Sequence, residues 1–449
     1  MAERKAASGI RIGILSLGCP KTLVDSEIIL GKLDPRRYRI VPSVTDCDIA
    51  ILNTCSFIRE AQEESIDRIF QLVELKKEGL IRSLVVVGCL VQQFPGALKD
   101  QIGDIDAFVG SGEYQTIGKT LEKVAAGQKV SAIGGPGYLA TARDRRVVLT
   151  PRHYRYVKIS EGCNRRCSFC TIPAFRGRHR SRSSQDIVKE TRALVQQGAR
   201  EIILTGQDTT FFGMDTTGRY QLVPLLKKLE KIENLRWIRL LYAYPSGVTK
   251  DLLRTMRESA HMCRYLDIPL QHFSNPVLKA MRRGTTEKSI RKLVSDVRTM
   301  VPGAAMRTTF IVGFPGETER DFKKLLTFMK ESRFERLGIF TYSCEKGTPA
   351  AELPEQVPEK IKRARLDEAM RLQQEISTDI NRGFIGKSME ILIEEKRSGG
   401  ENEYLGRTFM DAPEVDGNVF VRSRVQLGVG RFYQGKITGS HEYDLVARL

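Results

Sequence analysis

The stretch YRYVKISEGCNRRCSFC, residues 154–170, decides the fold of the larger part of this chain. Its first half, Tyr154–Ile159, carries the aromatic and β-branched residues of a buried strand. Gly162 breaks the run, and Cys163, Cys167 and Cys170 follow in a C-x3-C-x2-C spacing. A strand that feeds a loop of reactive side chains is the unit from which a βα barrel builds a site at its strands' C-terminal ends. Downstream, five more apolar runs read as strands: Glu201–Leu204, Trp237–Tyr242, Tyr265–Ile268, Met306–Val312 and Leu337–Tyr342. Helical patterns, including Ser184–Gln197, Thr286–Met300 and Thr318–Ser332, separate them. The expectation is an incomplete βα barrel, since a full one needs eight strands. The long charged helical pattern Pro358–Arg382 closes it.

Upstream, three short runs without alternation, IGILSLGC (12–19), IAILNTC (49–55) and LVVVGC (84–89), read as buried strands. Helical patterns near Ser26–Leu33 and Arg59–Glu78 follow the first two. This βαβαβ rhythm predicts a doubly wound parallel sheet. Each run ends in a cysteine, and such sheets present their strands' C-terminal ends on one edge, where ligands bind. Cys19, Cys55 and Cys89 are therefore expected to meet. Gly134, Gly135 and Gly137, followed by Arg143, Arg145 and Arg146, look like a linker. After Gly383, glycines and the short alternating runs Met389–Glu394, Gly417–Val421 and Gly435–Thr438 predict a small all-β barrel. The α/β class thus divides into domains at 10–126, 149–380 and 383–449.

The N-terminus lacks the apolar core of a secretory signal, and the apolar stretch near Leu84–Val91 is too short to span a bilayer. A cytoplasmic protein with no membrane partner is expected, and there nine cysteines suggest metal or redox chemistry rather than disulfides. The net charge is +18, spread unevenly. From Gly383 to Leu449 nine Lys/Arg face ten Asp/Glu, while the remainder carries 63 against 44.

Three thiolates on one loop fit a 4Fe–4S cube and leave one iron without a protein ligand. A zinc site usually has a fourth ligand and paired C-x2-C spacing. Spacing alone leaves the second triplet open between a cluster and three small apolar residues at strand ends. Cys47, Cys263 and Cys344 have no partner pattern and read as packing or free thiols. The five histidines are scattered, and His272, just after a strand, is read as structural.

The motifs SLGCPKTLVDSE (16–27), TPRHYRYVKISEGCNRRCSFC (150–170), LDIPLQH (266–272), IVGFPGETE (311–319) and EYDLVARL (442–449) make the chain resemble the radical S-adenosylmethionine (SAM) methylthiotransferases. It is most similar to the branch that modifies an aspartate of ribosomal protein S-twelve. Thr22 stands where that branch usually has Asn. The resemblance spans nearly the whole chain. It implies a radical SAM core with a terminal TRAM barrel, and two 4Fe–4S clusters. Cys163, Cys167 and Cys170 would hold the SAM-binding cluster, and Cys19, Cys55 and Cys89 the second. One SAM would methylate a sulfur at the second cluster. Another, cleaved to a 5′-deoxyadenosyl radical, would strip hydrogen from the aspartate β-carbon, which then takes the methylthio group. Phe169, Gly206, Gln207, Gly313 and Glu317 fall at SAM-contacting motifs, with Pro315 and Gly316 in the same turn. An external electron donor is required.

The substrate choice lies between S-twelve and a modified adenosine in tRNA, with a non-catalytic cluster-bearing RNA-binding or sensor protein as a third reading. An RNA-gripping barrel should be basic, because phosphate contacts dominate affinity. The slightly acidic tail better suits a basic protein, while the positive remainder could touch ribosomal RNA.

Overall fold

The computed structural model describes residues 9–449 apart from 399 and 401, and these form two compact units. The first runs to Leu149 and takes in Glu161–Arg165 and Cys170–Arg182. Its sheet has six parallel strands: β1 Ile10–Ser16, β2 Tyr38–Ile40, β3 Ile49–Thr54, β4 Ser83–Gly88, β5 Ala107–Gly110 and β6 Val130–Ala132. They lie in the order β2-β1-β3-β4-β5-β6. β3 and β4 are buried at every position, as strands covered on both faces must be. The pairings Ser16↔Asn53 and Thr54↔Gly88 bring the C-terminal ends of β1, β3 and β4 side by side.

The first helix corrects the sequence reading. β1 ends at Ser16, and the helix spans Pro20–Gly31 rather than starting at Ser26. Proline at the first helical position costs nothing, because that N–H has no partner in any helix. The helix buries Asp25, Ser26 and Glu27 along with its apolar residues, so no one-sided pattern marks it. The supposed linker is also tied down. Arg146 pairs with buried Glu27, whose Oε1 accepts from Leu149 N at 2.8 Å, and Lys32 Nζ lies 2.7 Å from Asp144 Oδ1.

The second unit holds six parallel strands in sequence order: Tyr154–Lys158, Glu201–Thr205, Trp237–Leu240, Met262–Asp267, Ala305–Val312 and Arg336–Thr341. This is the expected open barrel. Its core is aliphatic and aromatic, and Glu359–Arg382 packs Ala369 and Ile376 into it. Five strands, Ser388–Lys396, Glu403–Arg407, Val419–Arg422, Leu445–Arg448 and Phe432–Ser440, close a small β-barrel in that order.

Residues 407–416 of the small barrel fill the N-terminal mouth of the large one. Arg407 Nη2 meets Glu201 Oε2 at 2.6 Å, Arg336 Nε meets Asp411 Oδ1 at 2.8 Å, and Tyr265 Oη donates to Asp416 Oδ2 at 2.7 Å. With that mouth filled, the C-terminal ends of the strands remain for a site. Burial would raise the Glu394 carboxyl, but the His153 hydrogen bond and the Arg407 guanidinium bring it down from 4.5 to about 2. A depressed carboxylate contributes stability that is present above its unfolded value and lost as pH falls through the folded one. Glu394→Gln should therefore cost about 3 kcal/mol at neutral pH. In denaturant melts that difference should shrink between pH 4.5 and about 2. A constant difference across that window would contradict this.

Candidate functional site

After β1 the chain turns at Gly18 (φ +90°), leaving Cys19 extended as the residue before the Pro20 helix. The Thr22 hydroxyl closes this turn, donating to Leu17 O (2.8 Å) or Cys19 O (2.6 Å), so threonine serves here as a local brace. After β3, Cys55 N donates to Ser65 Oγ at 3.1 Å, and Ser65 Oγ donates back to Cys55 O at 2.8 Å. After β4, Gly88 (φ +104°) delivers Cys89 to the start of a short helix. Asn53, fully buried at the end of β3, donates to Thr22 O and to Ser26 Oγ, both at 2.9 Å, and fixes the helix against the strand.

The thiols of Cys19 and Cys89 are close enough to that of Cys55 to act on its charge. Burial and the neighbouring Cys19 and Cys89 push the Cys55 thiol up to about 12. Burial alone would raise Cys19 too, but the Lys21 charge, the Thr22 backbone N–H and the Arg176 guanidinium lower it. A Cβ on Gly18 would lie 2.8 Å from Cys55 Sγ, so this glycine is needed both for its positive φ and for the sulfur's room. Three thiols beside two cations, with a glycine that keeps a Cβ off one sulfur, suit an anionic iron–sulfur cube. Among the described residues, no three His, Cys, Asp or Glu are spaced to hold a single metal ion. The three sulfurs on a cube bind three different irons. Gly18→Ala should displace Cys55 and halve the iron taken up on anaerobic reconstitution, with the circular dichroism unchanged. Full iron uptake would contradict this.

Cys163, Cys167 and Cys170 lie on the loop beyond the strand Tyr154–Lys158, at its C-terminal end, each partly exposed. Cys163 Sγ accepts from Arg165 N at 3.4 Å. Cys167 Sγ accepts from buried Arg283 Nη1 at 3.3 Å, and the Arg283 guanidinium lies over the Tyr244 ring. Ser168, between them, is held by Oγ to Ala280 O (2.7 Å) and by N to Met281 O (3.0 Å). Phe169 packs edge-on against Phe314, centroids 6.5 Å apart.

The remaining SAM candidates sit beyond the strand ends, mostly braced by the protein itself. A Cβ on Gly206 would lie 2.6 Å from Ser160 Oγ, and one on Gly313 would meet the Lys362 side chain. Packing thus suffices to require both glycines. Gln207 follows Gly206 on the same loop, half-buried. Glu317 is buried, accepting from Gly313 N and Phe314 N and lying 3.3 Å from Arg365 Nη1. It holds the turn in shape. His272 is fully buried and its Nδ1 accepts from Ser274 N. Cys47 and Cys263 are buried and Cys344 exposed, and burial pushes Cys263 up to about 12.

Sequence reasoning missed Asn53, Arg176 and Arg283. Asn53 left a signal, a lone polar residue inside the apolar run IAILNTC. The arginines left none in a chain with 72 basic residues.

Three family models match: an uncharacterized protein family, UPF0004, over residues 11–110, the radical SAM superfamily over 157–329, and the TRAM domain over 385–449. The chain is 48% identical to the ribosomal protein uS12 methylthiotransferase RimO of Pelotomaculum thermopropionicum, covering 97% of this chain and 98% of that one. It is 45% identical to that of Desulforamulus reducens, over 98% and 99%. Among solved structures, the radical S-adenosylmethionine methyltransferase TsrM of Kitasatospora setae, with a [4Fe-4S] cluster and cobalamin bound, shares the fold at TM-score 0.57 and 15% identity, over 77% of each chain. No helix among the described residues is long and apolar enough to cross a membrane. With matches of this identity over almost its whole length, the chain belongs to the ribosomal protein uS12 methylthiotransferase (RimO) family of radical SAM enzymes.

Proposed function

We propose that this protein transfers a methylthio group to the β-carbon of an aspartate in ribosomal protein uS12, in the cytoplasm, with electrons from an external donor. The observation that carries the reading is the pairing of two three-thiol sets on strand C-terminal ends, in a chain matched end to end by uS12 methylthiotransferases. Cys163, Cys167 and Cys170 are assigned to the SAM-binding cluster, and Cys19, Cys55 and Cys89 to the second. Phe169, Gly206, Gln207, Gly313 and Glu317 line the SAM site. When bound, these groups supply one-electron cleavage of a sulfonium and the sulfur to be transferred.

The chain's own residues hold and shape. Gly18 and Gly88 turn two strands so that their cysteines share an edge with Cys55. Glu317 fixes the 313–317 turn through two backbone N–H groups, and Arg283 donates to a ligand sulfur. The domains follow residues 10–126, 149–380 and 383–449. The last, carrying a net −1, suits a basic protein partner, and the positive remainder suits contact with ribosomal RNA.

The test is direct. The anaerobically reconstituted enzyme, with SAM, dithionite and a sulfide source, is offered uS12 and tRNA separately, and both products are weighed. A gain of one methylthio group on a uS12 aspartate is expected. A gain on tRNA alone would transfer the chain to the nucleic-acid-modifying reading.

A further inference from the structure

Six residues beyond Cys170, at the end of the short helix Ile172–Arg176, a single arginine lies within the first unit. Arg176 is buried. Its Nη2 donates to Cys89 Sγ at 2.9 Å, and its Nη1 donates to Asp25 Oδ2 at 2.9 Å and lies 3.5 Å from Glu161 Oε1. Asp25 comes from the helix that Cys19 opens, so the guanidinium ties two of the three cysteine-bearing segments together. Tyr114, fully buried with no hydrogen-bond partner on its hydroxyl among the described residues, lies beside the same groups. The segment's backbone is pinned as well, since Phe175 O accepts from Ser111 Oγ at 3.1 Å.

Two buried carboxylates are more than one guanidinium needs for compensation, and a charged pair alone would not require the second nitrogen to reach a sulfur. An N–H donated to a ligand sulfur, with a fixed positive charge behind it, stabilises the more negative, reduced state of an iron–sulfur cluster. Arginine cannot escape this by losing its proton. We propose that Arg176 is a positioning residue of the second cluster, raising its reduction potential and orienting Cys89. This rests on the assignment of Cys19, Cys55 and Cys89 as cluster ligands. Arg283, donating to Cys167 Sγ, is its counterpart on the other triplet and serves as the internal control.

The experiment is a redox titration of the full-length, two-cluster protein, followed by electron paramagnetic resonance, with iron counted beforehand. Arg176→Gln should shift one of the two reduction waves to lower potential and leave the other in place, and Arg283→Gln should move the other wave. Arg176→Lys, which keeps the charge and a donor, should recover part of the shift. Because Arg176→Gln takes one cationic partner from two carboxylates, the doubly changed protein Asp25→Asn/Arg176→Gln is titrated as well, and the same wave should move there. Both waves unmoved in both Arg176 variants would overturn the proposal, as would Arg176→Gln moving the wave that Arg283→Gln moves. If the unaltered protein takes up only one cluster, the ligand assignment itself fails, and the iron count shows this before any variant is made.

Discussion

Replacing Cys55 by alanine is expected to leave SAM cleavage intact while methylthio transfer falls below detection. Cys55 follows β3 of the first unit, its sulfur lies against Gly18, and the Cys19 and Cys89 thiols are near enough to act on it. With two sulfurs left, the edge cannot hold a cube, and iron should fall from about eight to about four per chain. The loop 162–171 keeps its own three sulfurs and its own braces, Arg283 on Cys167 and the Ala280 and Met281 carbonyls on Ser168. Reductive cleavage, followed as 5′-deoxyadenosine by chromatography, should continue at a rate within about threefold of the unaltered enzyme, since nothing in that loop has changed. Methylthio-uS12 formed by this variant would remove the second cluster from the account.

Replacing Cys163 by alanine is expected to abolish both reactions. The sulfur lost belongs to the only C-x3-C-x2-C loop in the sequence, and no other cysteine is placed to substitute: Cys263 is buried within a strand and Cys344 has no partner pattern. Iron should again drop to about four per chain, now retained by the first unit. Since that cluster would be the electron source for SAM cleavage, the loss should exceed about a thousandfold. Substantial 5′-deoxyadenosine from this variant, above a dithionite blank without protein, would contradict the assignment of the SAM-binding cluster.

Much of this was legible in the residues. Parallel strands buried on both faces leave continuous apolar runs, so IAILNTC and LVVVGC fall on observed strands, as do all six runs of the barrel. The short strands Tyr38–Ile40, Ala107–Gly110 and Val130–Ala132 were not, because three or four residues at or near a sheet edge carry too little pattern. Glu403–Arg407 and Leu445–Arg448 were missed for a related reason, since strands of four or five residues in a small barrel mix polar and apolar positions. The helix Pro20–Gly31 hid its start because buried Asp25 and Glu27 satisfy cations far along the chain, Arg176 and Arg146. The same long-range pairing turned an apparent linker into packed structure. The placement of the six cysteines beyond strand ends could be read because spacing and strand ends are local. The arginines that donate to Cys89 and Cys167 could not, because a hydrogen bond spanning 87 or 116 residues leaves no trace in a single sequence.

Mössbauer spectroscopy of protein reconstituted anaerobically with iron-57 tests the central claim most directly. Two [4Fe-4S] clusters per chain are predicted, and added SAM should alter one iron site of one cluster, the iron that Cys163, Cys167 and Cys170 leave open. A spectrum without cubane iron, or one that SAM leaves unchanged, would contradict the account.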